Sequence, residues 1–153
     1  MSQDSSRLYP VQRLTSQRRD QAAAELRQAE GELRRHEQRL EEILELRQQY
    51  CRQLSEDGAI EASRLRDFNV FLTRLDEAVV QQRQSVAQQQ RRVTQLHRQW
   101  LQRWGEHRTI EHVVERRAEA ERAEQARREQ READETARLL YQALQRGHLP
   151  GKG

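Results

Sequence analysis

The chain has 153 residues, 34% of them hydrophobic and 35% charged, with a formal net charge of +3 and a mean hydropathy of −1.18. That is too little apolar material to seal a globular core, and no apolar run approaches the roughly 20 residues that span a bilayer. Six glycines and two prolines leave almost nothing to interrupt a helix, so a chain this rich in Ala, Glu, Leu, Arg and Gln falls in the long-helix class.

The opening residues, Met1-Ser2-Gln3-Asp4-Ser5-Ser6, lack the basic and then apolar pattern of a secretory signal, which predicts a protein that stays in the cytoplasm. Residues 1–9 are polar and expected to be disordered, while Pro10 suits the first turn of a helix because its missing N–H has no partner there. From Pro10 to about Glu56 the apolar residues form one stripe. Leu26, Leu33, Leu40 and Leu54 recur by sevens, or twice seven, and Ala22, Ala29, Ile43 and Tyr50 fill the interleaved positions. A polar stretch, Ser55-Glu56-Asp57-Gly58-Ala59, marks a turn within residues 56–62. Gly58 is suited to the left-handed conformation that ends a helix, and Ser63 or a neighbour to capping the next one. A second stripe follows. Leu72, Val79, Val86, Val93, Trp100, His107 and Val114 share one heptad register, with Phe68, Leu75, Leu96 and Ile110 interleaved. The second helix meets no stop before Gly147, and residues 148–153 are expected to be disordered.

Two apolar stripes joined by a short polar loop bury each other only by folding back. The expected fold is therefore all-α: two long helices in an antiparallel coiled-coil hairpin, a single rod over residues 10–147, with the second helix overhanging the first. Pivoting about the turn makes the numbers of facing residues sum to about 118. Tyr50 then meets Phe68, Leu33 meets Val86, Ala22 meets Leu96, and Leu14 reaches the level of Trp104. Polar residues at His36, Arg47, Gln82 and Gln89 break the stripes and are expected to weaken them. Beyond about Arg108 the second helix is left without a partner. Its run from Glu115 to Arg138 holds only alanine as apolar type, with Glu115 and Glu119 near Arg116 and Arg122, and Glu124 near Arg127 and Arg128, at spacings that support a single helix. The cluster Leu139, Leu140, Tyr141 and Leu144 then has no surface of its own chain to cover.

Such a rod offers no pocket for chemistry, and an enzyme is not expected. The five histidines do not combine with Cys or acidic residues at metal-ligand spacing; His107 and His112, five apart, do not share a helical face. Cys51, the only cysteine, forms no internal disulfide, in keeping with a reducing compartment, and no base is placed to activate it. No glycine-rich phosphate loop is present, so neither nucleotide, other cofactor nor metal is expected. Between Gln81 and Trp104, Arg83, Arg91, Arg92, Arg98 and Arg103 meet no acidic residue. That stripe suits phosphates, a solvated face or an acidic protein partner, but it lacks the aromatic platform or groove-reading helix of a nucleic-acid module. Trp100 and Trp104, one turn apart, suit either the seam or a binding patch.

The order of landmarks resembles one family. Leu8-Tyr9-Pro10-Val11-Gln12-Arg13-Leu14 opens the pattern and Tyr50 stands before the turn. Leu65-Arg66-Asp67-Phe68-Asn69-Val70-Phe71-Leu72-Thr73-Arg74-Leu75-Asp76-Glu77-Ala78 follows it, then Gln81-Gln82-Arg83, Trp100 and Arg128-Glu129-Gln130-Arg131-Glu132-Ala133-Asp134-Glu135. This arrangement is similar to the FliJ family of the bacterial flagellar type III export apparatus, apart from Ala133 and Arg131, where that family often has leucine and lysine, and the end past Leu139. The resemblance implies a soluble stalk-like coupling factor, peripheral to the cytoplasmic face of the inner membrane, that joins a hexameric export ATPase, FliI, to the export-gate protein FlhA and also handles export chaperones. On that mapping Ile43, Leu46, Tyr50, Phe71, Leu75 and Ala78 are candidates for the gate, and Leu8, Val11, Leu14, Glu129, Gln130, Asp134 and Glu135 for the ATPase ring. A stalk of a non-flagellar type III secretion system, or a nucleic-acid-binding or scaffold coiled coil, would share the heptads.

Overall fold

A computed structural model of the chain describes residues 2–56, 58 and 61–148. It is an all-α helical hairpin of two long helices, α1 (Ser2–Glu56) and α2 (Ala62–His148). By packing, the chain divides into two units: Ser16–Gly105, and Met1–Thr15 together with Glu106–Gly153.

In the first of these units, α1 ends at Glu56 and Gly58 takes a φ of 64°, the left-handed geometry that glycine adopts without steric cost. Asp57 and Ala59 of the expected turn lie outside the described residues. The first turn of α2 is closed by the Leu65 N–H donating to the Glu61 carbonyl at 3.0 Å, so Ser63, expected as a possible cap, is already inside the helix. The seam lies where the heptads put it. Ala22, Leu26, Ala29, Leu75, Val79 and Leu96 are buried, and Val93 and Trp100 pack against the cluster of Leu26, Ala29 and Leu96. Trp100 is thus a seam residue, while Trp104 is exposed.

The polar residues that interrupt the stripes are not gaps. Gln82 Nε2 donates to the His36 carbonyl at 2.9 Å and lies 3.2 Å from His36 Nδ1; Gln89 Nε2 donates to the Ala29 carbonyl at 3.0 Å and to Glu32 Oε2 at 3.2 Å. Arg47 Nε donates to Asp76 Oδ1 at 2.6 Å, and that bond raises the already high pKa of the guanidinium. Where weakening was expected, the structure has cross-helix bonds that fix register, as polar residues in a coiled-coil seam do. Gln82 with His36, and Gln89 with Ala29, are pairs whose numbers sum to about 118.

In the other unit, α1 continues through Pro10 to Ser2. This differs from the expected helix start at Pro10 and disordered residues 1–9: proline removes one N–H donor and is disfavoured inside a helix, but does not forbid one. Met1 and residues 149–153 lie outside the described residues. Thr15 and His107, both buried, tie α1 to α2. His107 Nδ1 is 2.9 Å from Thr15 Oγ1, which donates to the Gln12 carbonyl at 3.0 Å, and Nε2 is 2.9 Å from Glu111 Oε1. Half-burial continues along α2 at Ile110, Val113, Val114 and Ala118, and on α1 at Leu8. The expected end of packing near Arg108 therefore falls short, because α1 itself reaches further than Pro10. From Glu119 to Gly147 every residue of α2 is exposed. Glu124 there faces Arg127, Arg128 and Arg131 at 3.9, 3.7 and 3.7 Å, Glu135 faces Arg138 at 3.9 Å, and Glu115 meets His112 at 4.0 Å. Pairs this exposed stabilise a helix by a few tenths of a kcal/mol each.

Cysteines placed at Leu33 and Val86 are expected to cross-link within one chain, and a pair at Leu33 and Val114 is not; non-reducing electrophoresis of the Cys51-free protein reads the difference. Leu26→Ala is expected to cost about 2–4 kcal/mol by denaturant titration. Leu144→Ala should cost close to nothing, because Leu26 is 8% exposed and Leu144 is 73% exposed.

Candidate partner-binding surfaces

The residues nearest the turn form an aromatic stack. The Tyr50 ring lies 4.8 Å from Phe68, nearly parallel at 13°, and 4.4 Å from Phe71 at 43°. Tyr50 sits at the end of the α1 stripe, Phe68 at the start of the α2 stripe, and Phe71 one turn further on, so two rings of α2 clamp one of α1. Phe71, which belongs to neither heptad stripe, is held against the seam by this contact, yet it remains 36% exposed. The six gate candidates thus divide. Leu75 is buried and Ile43, Tyr50 and Ala78 are half-buried seam residues; only Leu46, 45% exposed, and Phe71 present substantial apolar surface. Leu44, Leu65 and Val70 add exposed apolar area in the same part of the chain, and the heptad reading passed over them because it follows only the seam.

The ring candidates lie in the other unit. Leu8 is half-buried, whereas Val11 and Leu14 are exposed, so Leu14 does not fill the seam layer assigned to it. Glu129, Gln130, Asp134 and Glu135 are all exposed, and their hydrogen bonds run along their own helix: Gln125 to Glu129 at 3.3 Å and Gln130 to Asp134 at 3.2 Å. The sequence motif that singles them out is therefore not explained by packing inside the chain.

Among the described residues no three His, Cys, Asp or Glu side chains gather to hold a metal, and no helix is long and apolar enough to cross a membrane. Cys51 is half-buried at the edge of an open groove with Glu41, Leu44 and Gln48. What the surfaces offer is contact: apolar side chains held on stiff helices, and a long charged helix with no cover.

A model of one family, described as flagellar FliJ protein, matches residues 4–146. The chain belongs to the FliJ family. It is accordingly a flagellar export-associated protein. The match runs through Leu144, past the point where the motifs of the resemblance stop. No curated protein and no solved structure matches the chain.

The division of the tip residues has a direct test. Tyr50→Ala removes the centre of the aromatic stack and is expected to lower stability by about 3 kcal/mol. Leu46→Ala is expected to change it by less than about 0.5 kcal/mol, as surface substitutions do. Thermal melts followed by circular dichroism separate the two.

Proposed function

We propose that this FliJ-family chain is a central-stalk-like coupling factor between the flagellar export ATPase ring, the FliI hexamer, and the export gate, FlhA, with a second role as escort for export chaperones. The observation that carries this reading is where apolar and charged side chains are left uncovered once the seam is satisfied. Leu46, and Phe71 although it belongs to the aromatic stack, keep exposed apolar surface, and α2 from Glu119 to Gly147 remains bare in a different unit of the chain. A helix pays ordering entropy along its length, and an uncovered one recovers little of it by burial within its own chain.

In this function the turn meets the gate through Leu46 and Phe71, with Ile43, Tyr50, Leu75 and Ala78 as the packed base that holds them. The N-terminal turns at Leu8, Val11 and Leu14, with Glu129, Gln130, Asp134 and Glu135, enter the ATPase ring. A stalk in contact with some subunits of a hexamer and not others shifts the populations of their conformations, which transmits a state without any chemistry in the stalk. The protein acts at the cytoplasmic face of the inner membrane by holding to the gate.

Among the described residues, truncation after Arg117 removes the half-buried Ala118 and otherwise only exposed side chains. The shortened protein is expected to keep its hairpin and its affinity for the gate while losing stimulation of ATP hydrolysis by the export ATPase. Unchanged stimulation would overturn the assignment of this end and leave chaperone escort as the better account. Phe71→Ala together with Leu46→Ala should lower gate affinity at least about tenfold in a pull-down titration, with helix content unchanged.

A further inference from the structure

Apart from its seam, α2 carries a second column of side chains that repeats by sevens: Val80, Ala87, Thr94 and Leu101. Each stands one residue after a seam position, rotated by about 100° around the helix, so the column lies on the outer face of α2, beyond the row that borders the seam. Val80 is 55% exposed and Leu101 47%, Thr94 is exposed, and Ala87 is half-buried. One flank is glutamine at every step, Gln81, Gln88, Gln95 and Gln102, all exposed. Between the column and that glutamine row lie Gln84, Arg91 and Arg98. Taken with the column they give the alternating four and three spacing of a helix-packing face: Val80, Gln84, Ala87, Arg91, Thr94, Arg98, Leu101. Between Arg91 and Arg98 the surface dips into an open groove floored by Ala87 and Thr94.

The charge of this face is one-sided. From Ala78 to Gly105, α2 has no acidic residue. Arg83, Arg91 and Arg98 are exposed, and among the described residues no carboxylate pairs with them. We infer that this face docks an amphipathic α-helix of a protein partner that carries acidic side chains at heptad spacing. Val80 and Leu101 are apolar anchors about 32 Å apart along the helix, and the small residues between them let a third helix approach closely. Arg91 and Arg98, seven residues apart, stand about 10.5 Å apart on one face, the repeat of carboxylates on a facing helix. A duplex or single strand would use the arginines but not the Val80 and Leu101 anchors, and the face has no aromatic platform on which to stack bases. Exposed arginine–carboxylate pairs contribute little each, so they select the partner's charge while the anchors supply the burial. This surface is distinct from the tip and from the bare end of α2, and stands whether or not those make the contacts proposed above.

The test uses the full-length protein and a fluorescent synthetic helix about three heptads long, with leucine at its a and d positions and glutamate beside them, a twin with lysine for glutamate, and a DNA duplex of matching length. The glutamate helix is expected to bind and to protect the amides of α2 between Val80 and Leu101 from exchange. Arg91→Glu with Arg98→Glu, both exposed and so compatible with the fold, should weaken it at least about tenfold and transfer binding to the lysine helix. The inference is overturned if the double variant holds the glutamate helix as well as the parent does, if protection appears elsewhere, or if the duplex binds with a steep salt slope and the glutamate helix does not.

Discussion

Everything in this chain depends on one contact, the burial of the α1 stripe against the α2 stripe, because each of two helices has only the other to cover its apolar face. Its most buried residue is Ala29, clustered with Leu26 and Leu96, with Val93 and Trp100 packed against them. The seam is thin. Among the described residues no large side chain is fully sealed, so little apolar burial is available at any layer to penalise a slipped register. Gln82, Gln89 and the Thr15–His107 pair perform that task instead, since a slip would strand a buried amide or imidazole without its partner.

A seam that uses one face of each helix leaves the other faces outward. Among the described residues there is no second layer, and the candidate surfaces are faces of helices. Selectivity on such faces comes from which side chains protrude and at what repeat. That is why Leu46 and Phe71, which keep exposed apolar surface, carry more information than Leu75, which the seam already uses.

The hairpin and its register were legible because two stripes, read independently, had to agree about one pivot. Tyr50 with Phe68, His36 with Gln82, and Ala29 with Gln89 all satisfy it. The departures have separate physical causes. Pro10 was weighed by local propensity as a helix start, whereas the helix runs through it. The seam glutamines were judged by polarity alone, although a long amide reaches across to the facing backbone. Phe71 was placed by strict heptad geometry, yet a large ring one turn from Phe68 swings onto the same tyrosine. The surfaces were less legible than the fold. Periodicity marks what is buried, and only the resemblance to the FliJ family pointed to the acidic residues near Glu129.

The bare end of α2 shows how charge can keep a helix available. Ala126, Ala133 and Leu140, with Ala123, Ala137 and Leu144, still trace a heptad stripe, so pairing with a second copy of the same end is the obvious competitor. In a parallel pair the flanking positions would set Arg122 against Arg127 of the other copy and Glu129 against Asp134, like charges at both crossings. Each repulsion is worth only a few tenths of a kcal/mol, but an alanine-rich stripe buries so little that these terms decide the sign. Opposite charges lie along the helix instead, from Glu124 to Arg127, Arg128 and Arg131, where they support the helix as a single strand. The same charges that disfavour a parallel self-pair thus leave Leu140 and Leu144 exposed, so charge pattern counts on this helix as disfavoured pairing as well as attraction.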